Sequence, residues 1–281
     1  MLDFVAVGHV TLDRLASGMR AGGSAYYAAL TAHRLGLRAG VLTSFGLDFP
    51  ADALPDGIAV TRVRSGLTTS FELTQSAQGR TLTLLARAAD LEADALPPEW
   101  SRVPLIMLCP VANEVDPAFA SGFPESSLCV APQGWLRRRD AGGVISPQPW
   151  EDAAWVLPHA QTLVLSTEDV AAVHADEVLE WFQQVPVGAL TDGWRGATLF
   201  VNGERYHVEA DRVSEVDPTG AGDVFAATLL VEYHAGASPW DAAGAAACAA
   251  AASVEAPGAA GIPDREALAA RLQAYRRRQG S

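Results

Sequence analysis

The chain has 281 residues, 49% of them hydrophobic, with 33 acidic against 20 basic side chains and a net charge of −13. That length and apolar content suffice for a sizeable core, and an acidic chain repels nucleic acid and anionic membrane surfaces, so neither is an expected partner. Cys109, Cys129 and Cys248 lie far apart without C-x-x-C or Cys/His spacing, which points away from zinc and toward buried thiols in a reducing cytoplasm.

The chain starts directly on a strand pattern, Phe4–Val7, without the basic segment of a signal peptide. Further short apolar runs predict strands at Ala39–Thr43, Leu105–Leu108, Leu128–Ala131, Leu163–Ser166 and Ala189–Thr191. Helical patterns fall between several of them, at Ser24–Leu35 with Gly36 as its stop, at His174–Gln184 and at Val224–His234. Alternating strands and helices predict a parallel-rich sheet covered by helices, an α/β fold. Ser238-Pro239-Trp240-Asp241 reads as a cap, a first-turn proline and a capping-box acid for an Ala-rich helix through Val254. Asp264 caps a last helix toward Arg278. The weakly polar stretch Ala242–Val254 is too short to span a bilayer.

One segment breaks the alternation. Val60–Arg64, Thr68–Gln75 and Arg80–Ala86, with turns at Gly66 and Gly79, predict three consecutive strands in a small antiparallel sheet over about residues 58–88. An edge meander is the other reading.

The most specific stretch is Asp217-Pro218-Thr219-Gly220-Ala221-Gly222-Asp223, which leads into the apolar run Val224–Leu230. Two glycines let a ligand approach backbone closely. Helix-start amides and the helix dipole favour an anion. Asp223 then sets a carboxylate beside that anion cradle, as suits a base that takes a proton from an attacking hydroxyl. With each residue type at roughly 5–7%, seven fixed positions arise by chance on the order of once in a million such chains. Neither G-x-x-x-x-G-K-[ST] nor G-x-G-x-x-G is present.

Asp217–Asp223 resembles the C-terminal signature of the PfkB carbohydrate kinases, which have the ribokinase-like fold. The resemblance runs nearly end to end and implies one domain over residues 1–281. It implies Asp223 as catalytic base and Gly220, Ala221 and Gly222 as the anion hole. Asp13, following Val7-Gly8-His9, resembles the family's sugar-binding aspartate, and Ala21-Gly22-Gly23-Ser24-Ala25-Tyr26-Tyr27 its di-glycine motif. Gly22, Gly23, Tyr26 and Arg137, the last in Pro132-Gln133-Gly134-Trp135-Leu136-Arg137, are the implied acceptor contacts. Position alone leaves a solvated loop aspartate as the other reading of Asp13, and helix-core aromatics as that of Tyr26 and Tyr27. Gly46-Leu47-Asp48 resembles the family's G-x-D segment.

On the donor side, Ser166-Thr167-Glu168-Asp169 stands where the family has N-x-x-E; the asparagine is replaced but the acidic character remains. Glu168 and Asp169 are the implied Mg²⁺ residues, with a helix-capping cluster as the other reading. Thr191, Gly193 and Gly196 resemble the family's nucleotide stretch, and Ser166, Thr219 and Gly258 complete the implied ATP contacts. In some family members a monovalent cation sits between the Gly258 loop and the signature loop; the resemblance leaves that open here. The variant motifs look most like a branch with inositol and nucleoside kinases. A myo-inositol-like sugar or polyol leads as acceptor, and a nucleoside, with Tyr26, Phe71 and Trp135 as candidate walls for its base, is the alternative. A non-catalytic sugar- or nucleotide-binding protein is the reading from another class. A lid hairpin common between the two acceptor motifs is expected to be missing, which predicts a smaller β lid and a weaker or different homodimer through it.

Overall fold

The computed structural model describes residues 1–50, 52–76 and 79–279. Its strands in chain order are β1 (Phe4–Val7), β2 (Thr11–Leu15), β3 (Gly18–Gly22), β4 (Ala39–Phe45), β5 (Ala59–Arg64), β6 (Ser70–Ser76), β7 (Gly79–Ala86), β8 (Leu105–Leu108), β9 (Ser127–Val130), β10 (Arg137–Arg139), β11 (Ile145–Pro147), β12 (Thr162–Ser166), β13 (Val187–Thr191), β14 (Ala197–Val201) and β15 (Glu204–Val208). The helices are α1 (Ser24–Arg34), α2 (Ala153–Val156), α3 (Ala175–Gln183), α4 (Ala221–His234), α5 (Pro239–Ser253) and α6 (Arg265–Gln279).

Nine strands form the central sheet in the order β15-β14-β13-β12-β9-β8-β1-β4-β5. Pairing is parallel from β13 to β5, and β14 and β15 add an antiparallel hairpin at one edge. Strand residues alternate between two buried faces. Phe4, Ala6, Met107 and Cys129 pack with α1, α4 and α5; Val5, Val7, Ile106 and Leu128 pack with Trp135, Trp150, Trp181 and Phe182 on the other side. Burial on both faces explains why these strands are apolar throughout rather than alternating with polar residues. The small residues of α5 let it lie close to α4 and the sheet; Ala242, Ala243, Ala246 and Ala249 are wholly buried.

A second, four-stranded sheet has the order β3-β2-β6-β7. Its composition corrects two expectations. Residues 59–64 are not part of it: β5 pairs in parallel with β4 from Gly40↔Ala59 to Phe45↔Arg64. There it covers an otherwise unpaired edge of the central sheet, and Ala59 and Val63 pack on the core. The hairpin expected to be missing is present as β2 and β3, joined by a turn at Ala16 and Ser17, after which Gly18 opens β3 with a φ of 123° that suits glycine. Its strands are short and mix polar, apolar and glycine residues, so they carry little hydrophobic periodicity. The expected strand from Thr68 to Gln75 becomes β6, and Gly79 opens β7, while residues 77 and 78 lie outside the described residues.

Gly46-Leu47-Asp48 fastens this small sheet to the central one. Asp48 accepts from the Thr68 amide (3.0 Å) and hydroxyl (2.8 Å), and the Gly46 amide donates to Thr68 Oγ1 (3.1 Å). The junction also holds a buried network. His9 Nε2 donates to Ala89 O, and its Nδ1 is hydrogen-bonded to the Thr69 hydroxyl.

Candidate active site

The residues singled out by the sequence gather at the carboxyl ends of the parallel strands, where open α/β sheets bind ligands. Buried Glu114 draws the exits of β1 and β8 together, accepting from the amides of His9, Val111 and Ala112. Gly134, after β9, lies so close to Pro110 and Val111 that a Cβ would come within 2.4 Å of backbone. That approach carries the chain into β10 and sets Arg137 at the centre of the group.

Arg137 is flanked by four carboxylates, those of Asp169, Asp223, Glu114 and Glu168. Burial lowers its pKa, and these charges oppose the change. Asp223 sits in the first turn of α4, which opens at Ala221, three residues before the apolar run. Desolvation pushes its carboxyl up to about 6; a hydrogen bond from the Ser24 hydroxyl opposes the rise, Asp169 adds to it, and Arg137 opposes it. Gly220 is the left-handed N-cap of α4 with φ 81°, and no side chain caps this helix end. The Gly222 and Asp223 amides therefore have no intrahelical partner. A Cβ on Gly220 would fall 2.4 Å from the Tyr27 ring. Tyr27, buried under the loop, is what makes glycine obligatory there.

Asp13 lies on β2 rather than in a solvated loop. It accepts from the Phe71 amide (3.2 Å) and the Thr11 hydroxyl (3.0 Å). Desolvation raises its pKa, and those hydrogen bonds, Arg20 and Arg137 pull it back. Gly22 faces it, since a Cβ there would meet Asp13 Oδ2 at 3.1 Å, and Gly23 packs against the His9 carbonyl. Arg137 thus bears electrostatically on both Asp13 and Asp223.

The two C-terminal strand ends on the other side bring Ser166 and Thr191 into register. Asp169 is held by Ser166, through its amide (2.9 Å) and hydroxyl (2.6 Å), and by Gln133 Nε2 (3.0 Å). Gly193 and Gly196 bracket the turn into β14. Gly196, with φ 92° and a would-be Cβ 2.1 Å from the Val208 carbonyl, is required by the fold of the hairpin. Thr219 and Gly258 both donate to Asp217. Among the described residues no three His, Cys, Asp or Glu side chains converge as a preformed metal cage.

One aromatic assignment changes. Trp135 is core: its Nε1 donates to Val115 O, its ring stacks on Trp150, and 3% of it is exposed. Tyr26 packs edge-on against Tyr27, with Arg34 and Arg20 as its charged neighbours. Sequence reasoning also missed Ser24 and Arg20. The first directly follows the paired glycines and was legible as part of that motif. The second was hidden with the unrecognised β2–β3 hairpin.

The profile of the pfkB family carbohydrate kinases matches residues 14–265. A cytidine kinase from Thermococcus kodakarensis is 24% identical over 256 residues, covering 84% of this chain and 90% of that protein. A stretch of 107 residues is 36% identical to the bifunctional protein HldE of Caulobacter sp. (strain K31), but it spans only 21% of that protein's length. Among solved structures, a pyrophosphate-dependent myo-inositol-1 kinase converted into a myo-inositol-3 kinase superposes with a TM-score of 0.79 at 19% identity, covering 96% of this chain and 98% of its own. Ribokinase from Thermotoga maritima superposes with a TM-score of 0.76 at 21% identity, covering 97% and 100%. The central sheet, the second sheet at its strand ends and the glycine loop opening α4 are thus those of a ribokinase-like phosphotransferase, and the chain belongs to the pfkB family of carbohydrate kinases.

Proposed function

We propose that this kinase transfers the terminal phosphate of ATP to a hydroxyl of a small polyol, a myo-inositol-like ring being the favoured acceptor. The observation that carries this is Asp223: a desolvated carboxylate with a pKa of about 6 at an uncapped helix start, between Arg137 and Asp169. A base poised near neutrality matches general-base catalysis. Asp223 accepts the acceptor's proton as attack develops. The transferring phosphoryl lies over Gly220, Ala221 and Gly222, where the free Gly222 and Asp223 amides and the helix dipole take up its charge. Asp13, Gly22, Gly23 and Arg137 hold the acceptor, Tyr26 lines its approach, and the small sheet covers it as a lid on a single catalytic domain.

On the donor side, Ser166, Thr191, Gly193, Gly196, Thr219 and Gly258 border the nucleotide. Glu168 and Asp169 would hold Mg²⁺ through its retained waters, and the ion would neutralise donor charge. Asp169 suits this because Ser166 and Gln133 already fix its orientation. The apolar walls a nucleoside base needs are depleted by the burial of Trp135, which favours a compact polar acceptor. The second reading, a nucleoside kinase, is favoured by the cytidine kinase relative.

The test is product formation from ATP or pyrophosphate, with Mg²⁺, against inositols, pentoses, hexoses and nucleosides, with Asp223→Asn in parallel. One polyol consumed by the wild type and not by the variant is the expected result. A nucleoside consumed instead establishes the second reading. Donor binding without turnover across the panel would leave a binding protein on a kinase scaffold.

A further inference from the structure

Arg20 lies on β3, yet its guanidinium crosses to the signature loop. Nη1 donates to Asp217 Oδ2 at 2.6 Å and Nη2 to Thr219 Oγ1 at 3.3 Å. The Asp217 carboxylate is then fully engaged. Oδ1 accepts from the Thr219 amide (3.0 Å) and hydroxyl (2.6 Å); Oδ2 accepts from Arg20 and from the Gly258 amide (2.9 Å). A carboxylate offers about four acceptor positions, and the chain itself fills them. Three backbone oxygens beside the two loops are engaged as well. The Val254 carbonyl accepts from the Val216 and Asp217 amides, and the Ala260 and Ile262 carbonyls accept from Arg34.

A monovalent cation lodged between the signature loop and the Gly258 loop needs several such oxygens turned toward it, as bare cations replace their hydration shell with oxygen ligands. These residues do not fit it. The position facing Asp217 already holds a positive charge, 30% exposed at its side chain and tied to a carboxylate that is 14% exposed. Gly258, with φ 56°, brings the loop against the Arg20 stem, where a Cβ would stand 3.4 Å from its Cδ.

We propose that Arg20 is a built-in cation that braces the signature loop against the Gly258 loop, so that this protein works without a monovalent ion. Arg20 is a positioning residue. It neutralises Asp217 next to the anion cradle and joins the acceptor-side sheet to the loop that opens α4. The turnover part rests on the kinase reading above; the binding part does not.

The experiment compares wild type, Arg20→Ala and Arg20→Gln in potassium chloride and in tetramethylammonium chloride at equal ionic strength. It reads turnover and the thermal midpoint of the ligand-free protein. The wild type is expected to be indifferent to potassium in both. Either variant is expected to lose roughly 10–100-fold in kcat in tetramethylammonium, the rate equivalent of one charge-assisted hydrogen bond. Potassium or guanidinium ion is expected to restore part of that rate and to raise the variants' midpoint alone. The midpoint reports ion binding even if no acceptor is turned over, so failure of the kinase reading stays separate. A wild type stimulated several-fold or thermally stabilised by potassium overturns the proposal. So does a variant that loses rate or midpoint with no ion restoring either, since the guanidinium would then be a brace without a cation's role.

Discussion

Asp223 is governed at the residue scale by burial, two charges and one hydroxyl. Replacing it by Asn is expected to lower kcat by roughly 10²–10⁴-fold, the scale of general-base catalysis, with circular dichroism unchanged. Its neighbours give opposite pH signatures. Arg137 holds its pKa down and Asp169 pushes it up. Arg137→Gln is therefore expected to move the acidic limb of kcat/KM to higher pH, and Asp169→Asn to lower pH; shifts in the same direction would remove Asp223 as the titrating base. Stability follows from the same group. Its folded pKa of about 6 lies above the unfolded value of 3.8, so the native state binds the extra proton and stability falls as pH rises through that window. Asp223→Asn should be more stable than wild type at pH 7, by roughly 1–3 kcal/mol for a shift of this size, with the difference vanishing below about pH 4 in denaturant titrations. Asp217 shows the reverse. Burial works to raise its carboxyl, but hydrogen bonds from Thr219, Gly258 and Arg20 hold it at about 2. Its contribution is present above about pH 4 and lost as pH falls toward 2.

At the scale of elements, the loop into α4 is shaped by what lies beneath it. Gly220 needs its left-handed backbone and has Tyr27 where a Cβ would be. Gly220→Ala is expected to cost roughly 1–3 kcal/mol through strain and overpacking and to lower the melting temperature along with the rate. The small sheet depends on a different device. Asp48 ties the start of β6 to the exit of β4 through Thr68. Asp48→Ala leaves the buried Thr68 groups without that partner, so hydrogen exchange should accelerate in β6 and β7 while the central strands stay protected. Acceptor KM should rise more than kcat falls, because the cover moves and the base does not. Equal protection of both sheets in the variant would show that the small sheet is held by other contacts.

For the whole molecule, the small sheet exposes apolar side chains on both of its faces, Met19 beside Arg14 and Glu72 on one and Leu73 on the other. Met19 is 50% and Leu73 49% exposed, on β3 and β6. A homodimer through the face that carries Leu73 would cover that side chain. The wild type is expected to sediment as a dimer and Leu73→Glu as a monomer that keeps its kcat; a wild type that stays monomeric at high concentration would remove the dimer. No helix among the described residues is long and apolar enough to cross a membrane.

What the amino-acid sequence determined by itself was whatever local chemistry encodes. Four-residue apolar runs buried on both faces announced β1 and β8 with their observed ends. Gly36, Ser238 and Asp264 marked helix ends because turns and caps are made by neighbouring residues. The Gly220–Asp223 loop was legible because an anion cradle next to a base needs glycine and aspartate in fixed order. Tertiary structure alone decided the rest. It assigned β5 to the central sheet and β2–β3 to the small one, since a polar or alternating strand suits either edge until its partner is present. It withdrew Trp135 into the core, where its indole N–H found Val115. It brought Arg20 across 197 positions of sequence to Asp217, a pairing of charges that becomes specific only when folding fixes the distance between them.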